Sequence, residues 1–335
     1  MVTPLIVGKG DGMHPLLTVR SLLLALCCLL PSWAISQMAL EGHTNEVRFV
    51  AFLPDGKTLL SGADDASIRK WDVVGAMPAG FWQQVPKFDA APSTVVLSIS
   101  MDGRLLARAG KAQGSVDVWD VVKTSAIRTI QAHQRPTYGV AISGDGSVLV
   151  SFSQDEMKVW DLASNRAVIY VKAPNQYAYR AAAISTDGRL AAISSSDKKV
   201  TLFDVVTAKQ IAQFEAGPGQ LHALAFSPDG KLLASGSDGG PESSVKVWEI
   251  TTGTLLDGVQ GTPEYTKALA FSADSRFLAS GGVGVRVWDM RVKKIAFSFS
   301  GHKRTVRAVA FSSDATLLAS GAEDWIVGLW KLTPQ

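Results

Sequence analysis

The sequence predicts an all-β fold built from seven like units, each supplying three paired strands and a fourth in the link to the next. Three observations predict it. The first is an aromatic residue followed by an acid, recurring as Trp71-Asp72, Trp119-Asp120, Trp160-Asp161, Phe203-Asp204, Trp248-Glu249 and Trp288-Asp289, then as Trp330-Lys331 with the acid lost. These aromatic residues stand 40 to 48 positions apart, which suits a four-stranded sheet unit better than a helical repeat. The second is an acid, usually before glycine, at Asp55, Asp102, Asp145, Asp187, Asp229, Asp274 and Asp314, each between two short apolar runs. Apolar runs joined by Asp-Gly are the strongest short-range hairpin signal. The third is a run such as Val245-Lys246-Val247-Trp248, which alternates apolar and polar residues at the period of a half-buried strand.

Read from the N-terminus, the chain begins differently. A weakly basic stretch ends at Arg20, an apolar core runs from Ser21 to Leu30, and Pro31, Ser32, Trp33 and Ala34 follow. That order is the pattern of a secretory signal peptide over residues 1–34. Lys9, Gly10 and Asp11 precede it awkwardly, which points to Met13 as the true start. The apolar core is about half the roughly 20 residues of a membrane-spanning helix, so no permanent membrane anchor is expected. Both cysteines, Cys27 and Cys28, fall inside this segment, and the remainder has neither disulfide nor thiolate chemistry. Lipidation is an alternative, although Leu26 stands where a small residue is usual before a modified cysteine. Lys and Arg number 33 against 30 Asp and Glu, a net charge of +3. Neither nucleic acid nor an anionic membrane surface is implied by that balance.

From about residue 35 to residue 335 the sequence resembles the WD40-repeat β-propeller family. The seventh repeat carries nearly the whole family pattern, with Gly301-His302, Val306, the run from Val309 to Ser312, the run from Leu317 to Gly321, Asp324 and Trp330. The resemblance implies a seven-bladed β-propeller of four-stranded antiparallel blades, in which radial repetition leaves few exposed sheet edges. Too little chain follows Trp330 for the outer strand of the last blade. The residues from Ile35 to Glu41 are expected to supply it and so close the ring.

The resemblance also implies a structural hydrogen-bond relay within a blade: His43, Ser61, Asp65 and Trp71 in the first repeat, and His302, Ser320, Asp324 and Trp330 in the seventh. By spacing alone these residues also read as a hydrolase triad. Nucleophilic catalysis, however, needs an exposed Ser, an oxyanion hole and a cleft, whereas polar groups buried in a blade need only partners. The other repeats depart from the pattern. The second has Ala90 and Gln113 at the His and Asp positions, and the third keeps His133, Ser151 and Trp160 with only Asp155 near a shortened turn. The fourth has Asn175 and Phe203 but keeps Asp197, the fifth has Gly217 and an enlarged turn from Asp238 to Glu242, and the sixth has Thr262 and Gly282. Apolar packing is expected to hold those blades. No metal site, cofactor or catalytic residue is expected: the histidines are scattered, and the glycines at 281, 282 and 284 lack the following helix and Lys of a phosphate loop.

Family resemblance places ligands on the face carrying the loops that lead into each innermost strand, here termed the mouth face. The fifth position after each His landmark gives Arg48, Val95, Tyr138, Arg180, His222, Lys267 and Arg307. The third gives Glu46, Ser93, Pro136, Ala178, Gln220, Tyr265 and Thr305, and the pre-turn position adds Asp64 and Glu323. A basic, aromatic rim follows, suited to an acidic or phosphorylated peptide. The competing reading is a set of solvated charges, some paired with Glu46, Asp64 or Glu323. Trp325, where a turn usually carries a small polar residue, and Trp82 are further aromatic anchors or packing residues.

The function expected is a non-catalytic, exported, monomeric scaffold that binds an anionic protein or peptide segment. Two alternatives stay open: a propeller enzyme, either hydrolase or quinone-dependent oxidoreductase, with its site at the channel, and a cytoplasmic scaffold retaining the N-terminal segment. Cleavage is expected after Ala34, which keeps the closing strand; N-terminal sequencing of the mature protein should begin at Ile35, and a start at Leu40 would overturn the closure.

Overall fold

The computed structural model describes residues 38–74, 97–110, 112–173, 178–217, 219–238, 245–256, 259 and 265–332, together with the backbone of 77–82. The expected signal peptide, Ala90, Asn175 and Thr262, the rim positions Ser93 and Val95, the turn residues 239–242 and the side chain of Trp82 lie outside these described residues. Within them are 27 strands in seven small antiparallel sheets and no helix. The fold is a seven-bladed β-propeller.

Each blade is a meander whose first strand lies innermost. In blade 1 the order is Val47–Phe52, Thr58–Ala63, Ile68–Asp72 and Met77–Trp82. The hairpin between the first two strands turns on Asp55, whose carboxylate accepts the backbone N–H of Lys57 and Thr58, while Gly56 takes φ +63°. Glycine adopts that left-handed conformation without steric cost. Ser275 and Ala315 hold the same conformation in blades 6 and 7, so Asp-Ser and Asp-Ala fulfil the role of Asp-Gly there.

One blade departs from four strands. Blade 5 comprises Leu221–Phe226, Leu232–Ser237 and Val245–Glu249, and its outer position holds only an isolated bridge between Trp248 and Leu255 among the described residues. In blade 7, Val306–Phe311, Leu317–Ala322 and Val327–Lys331 are completed by Met38–Leu40 from the other end of the chain. Met38 pairs with Leu329, Ala39 with Gly328 and Leu40 with Val327. Of the expected run from Ile35 to Glu41, residues 38–40 are paired, Glu41 lies beyond the strand, and 35–37 lie outside the described residues.

Neighbouring blades stack through side chains of their innermost strands. A Cβ on Gly321 of blade 7 would lie 2.5 Å from Val47 Cγ1 of blade 1, so the glycine is what lets the last blade meet the first. One apolar cluster spans that seam: Leu40, Val47, Val50, Leu59 and Trp71 pack with Ala308, Ala319, Val327 and Leu329. Val150, Met157, Val159 and Phe203 form the corresponding cluster between blades 3 and 4.

Two sets of register shifts recur. Between the third and fourth strands the shift falls beside the landmark aromatic residue, at Trp71, Trp119, Trp160, Phe203 and Trp288. Between the first and second strands it leaves one extra residue on the inner strand, which is Arg48, Arg180, His222, Lys267 or Arg307 according to blade. A bulge residue is freed from the ladder, and bulges re-aim side chains at barrel rims.

Leu40 is almost fully buried, so Leu40→Ala should cost about 2 to 5 kcal/mol through lost contacts and a cavity in the closing seam. Urea denaturation measures it. A stability equal to that of the parent chain would show that the seam is not held by this strand.

Candidate functional site

Five bulges and Tyr138, just before the inner strand of blade 3, bring the predicted rim together. Arg48, Tyr138, Arg180, His222, Lys267 and Arg307 line one cavity of about 310 Å³ at the mouth of the central channel. Its apolar wall comes from the next residues of the same strands, including Val50, Val140, Ala182, Leu224, Leu269 and Val309. Phe152 adds an aromatic surface beside Gly139, where any Cβ would overlap the phenyl ring.

The electrostatics differ from the basic rim expected. Arg48 lies 2.5 Å from Glu46 and 3.0 Å from Asp64. Arg307 pairs with Glu323, its Nε donating at 2.6 Å. His222 Nε2 donates to Asp238 Oδ2 at 2.9 Å, and Lys267 lies 4.0 Å from the same carboxylate. Four carboxylates therefore face three of the four rim cations, Arg48, Lys267 and Arg307, together with His222. Burial pushes His222 below its ordinary value, with the Asp238 hydrogen bond offsetting only part, so its imidazole adds no charge near neutral pH. Burial also lowers Lys267, against the attraction of Asp238. Arg180 stands apart: it is exposed and, among the described residues, has no acidic partner. Tyr265 lies on the same side as Lys267, whose ammonium sits 5.4 Å from its ring centre, and its hydroxyl is 3.2 Å from Thr305 Oγ1.

A second constellation lies inside blades 1 and 7. Trp71 Nε1 donates to Ser61 Oγ at 2.7 Å, Ser61 donates to His43 Nε2 at 2.7 Å, and His43 Nδ1 donates to Asp65 at 2.9 Å. Carboxylates only accept, which sets the direction of the whole chain. In blade 7, Trp330 donates to Ser320 at 2.8 Å, Ser320 meets His302 Nε2 at 2.7 Å, and His302 Nδ1 reaches both Asp324 oxygens at 3.1 Å. Ser61 and Ser320 are wholly buried, so neither hydroxyl is placed to attack a substrate. Burial opposes ionisation of Asp65, but hydrogen bonds from His43, Ser67 and the Thr44 N–H outweigh it and hold the carboxyl well below the usual range.

The repeats also match known proteins. A family model described as WD domain, G-beta repeat fits residues 35–72, 124–161, 208–249 and 293–331. The chain is a WD40-repeat β-propeller. It is 29% identical over 206 residues to apoptotic protease-activating factor 1 of Rattus norvegicus, covering 58% of this chain and 16% of that protein. It is 30% identical over 115 residues to protein groucho of Drosophila melanogaster, covering 34% and 15%, respectively. A guanine nucleotide-binding protein subunit beta of Solanum tuberosum is 29% identical over 124 residues, covering 36% and 33%. The matched stretches thus span a third or less of each of these relatives.

Two departures from the WD40 pattern are resolved differently from the apolar packing expected. In blade 3 the acid is Glu156, which accepts from His133 Nδ1 at 2.8 Å, and Ser151 and Trp160 complete a full relay. The shortened turn puts its acid on the following strand. In blade 2 the Ser position is occupied by Arg108, which forms a buried ion pair with Asp117 at 2.9 Å and lies 4.7 Å from the Trp119 ring centre. A guanidinium cannot accept a hydrogen bond, and the buried Trp119 Nε1 has no partner among the described residues.

Trp325 is half exposed at φ +72°, the turn position that Ala66 and Lys198 occupy in blades 1 and 4. Among the described residues no group of three or more His, Cys, Asp or Glu is placed to hold a metal ion, and no helix is long and apolar enough to cross a membrane.

Burial lowers His133 and His302 from their ordinary value of 6.5, with their acidic partners offsetting only part. Below about 6.5 the unfolded chain then binds protons that the folded chain refuses, so stability is lost as pH falls. Thermal melts should drop from about pH 7.5 to about pH 5.5, with a shallower slope in His302→Asn; parallel slopes would exclude His302 as a contributor. Trp325→Gly should raise stability by about 1 kcal/mol by relieving the left-handed backbone, as read by denaturant midpoint.

Proposed function

We propose that this WD40 propeller is a non-catalytic scaffold that holds an anionic segment of a protein partner against its mouth face. The observation that carries the reading is the convergence of side chains from six blades on one cavity, where Arg180 alone among the rim cations lacks a carboxylate in the described residues. A cation already paired offers little to an incoming anion. An unpaired exposed guanidinium retains its full bidentate capacity. The compensated rim further favours a partner with a single negative group over a strongly acidic run, which Glu46, Asp64, Asp238 and Glu323 would repel.

The relatives support an interaction role at the level of their names, one of them being a subunit of a guanine nucleotide-binding protein. The burial of Ser61 and Ser320 speaks against hydrolysis by the His-Ser-Asp sets. We further propose, from the basic, apolar and small-residue order of residues 1–34, that the chain is exported and works as a monomer outside the cytoplasm.

A photo-crosslinking residue at Tyr138 on the mouth face should capture partners from a native extract, and one at Val206, on the opposite face, should not. The reverse result would move the binding surface. Arg180→Glu should weaken capture by about tenfold to a hundredfold, the range for a lost hydrogen bond to a charged group, while leaving the melting temperature unchanged. Arg48→Glu and Arg307→Glu should instead lower the melting temperature, because each puts a new carboxylate beside existing ones.

A further inference from the structure

We infer that the mouth cavity receives the carboxyl terminus of a partner chain ending in an aliphatic residue, with Arg180 on the carboxylate and the apolar wall around the terminal side chain. This rests on the reading of the mouth face as the partner surface and specifies its occupant. Three observations combine.

The first is size. At about 310 Å³ the cavity lies at the low end of small-ligand sites, which run from roughly 300 to 1,000 Å³, so it takes a chain end rather than a segment passing through. The second is the layering of its chemistry. Charged and aromatic groups occupy the mouth, and the wall beside them is aliphatic, from Val50, Val140, Leu224, Leu269 and Val309. Ala182 is the smallest of these wall residues and lies two positions after Arg180 on Tyr179–Ile184, which leaves space near the free guanidinium. The third is charge. Among the described residues one rim cation, Arg180, has no acidic partner, so the matching ligand brings one negative charge with apolar surface next to it.

A C-terminal residue meets those demands because its carboxylate and its side chain leave the same carbon. The carboxylate can stay at the wet rim while the side chain enters the dry wall. An internal Asp or Glu presents its charge at the tip of the side chain and needs two chain directions over the rim, past Glu46, Asp64, Asp238 and Glu323. A phosphate, with close to two charges at neutral pH, would be half compensated by one arginine.

The test uses the full chain and an acetylated, N-terminally labelled hexapeptide, Gly-Ser-Gly-Ser-Gly-Leu, with a free carboxyl terminus. The same peptide as its amide, and an amidated peptide with an internal Glu-Leu pair, serve as comparisons, all read by fluorescence polarisation. Binding of the free acid is expected, with a loss of about tenfold or more on amidation and on Arg180→Ala, and partial recovery in Arg180→Lys. Ala182→Leu, which fills the apolar wall, should weaken the leucine-ended peptide and leave one ending in glycine unchanged. Circular dichroism melts establish that each variant is folded. Equal binding of acid and amide, both lost in Arg180→Glu, would overturn the terminal-carboxylate inference while leaving the mouth face as the partner surface. Binding of the free acid that survives both Arg180→Ala and Ala182→Leu would place the site elsewhere and overturn both. Absence of binding by the free acid at millimolar concentration would overturn the inference.

Discussion

The three-residue pairing of Met38–Leu40 with Val327–Lys331 is the contact on which the rest of the ring depends. A blade buries its faces only against neighbours, and an open row of blades would leave two of them uncovered. Here the first and last units are joined twice, by backbone pairing of the closing strand and by Val47 seated over Gly321. Once the ring is shut, the innermost strands of all seven blades point the same end toward one mouth. The cavity exists because the ends of the chain meet.

Much of this was legible in the residues. Landmark aromatic residues and Asp-centred turns gave the number of blades, and counting from each His landmark reached six side chains that the folded chain gathers around a single cavity. Counting succeeds because the inner strands of five blades carry the same bulge at the same place, and Tyr138 directly precedes the inner strand of blade 3, so a fixed offset lands on a like position. What it missed came from residues whose roles depend on shape rather than spacing. Asp238 follows the second strand of blade 5, and its pairing with both His222 and Lys267 is set by how neighbouring inner strands sit side by side, which spacing within one repeat does not reveal. The rest of the rim's charge balance, with Glu46, Asp64 and Glu323 on Arg48 and Arg307, was the competing reading of the sequence.

The relays show how one structural demand admits different chemistry. In blades 1, 3 and 7 the buried indole N–H is satisfied through Ser and His to an acid, and the acid can be Asp in the turn or Glu on the strand. Blade 2 places an ion pair in the same space, with Arg108 stacked on Trp119 and Thr129 donating to Asp117 at 2.7 Å. Buried ion pairs are expensive to desolvate, so this blade relies on close geometry to recover the cost. Among the described residues its indole N–H has no acceptor, whereas the Ser-bearing blades supply one.

The extra residue on five of the inner strands has an evolutionary consequence. Arg48, Arg180, His222, Lys267 and Arg307 sit outside the paired ladder, so their side chains can be exchanged without altering the register of the sheet that displays them. Selection can therefore rewrite the mouth one blade at a time while the scaffold's own pairing remains untouched. A ring of this design is a keyboard whose keys can be relabelled without rebuilding the frame.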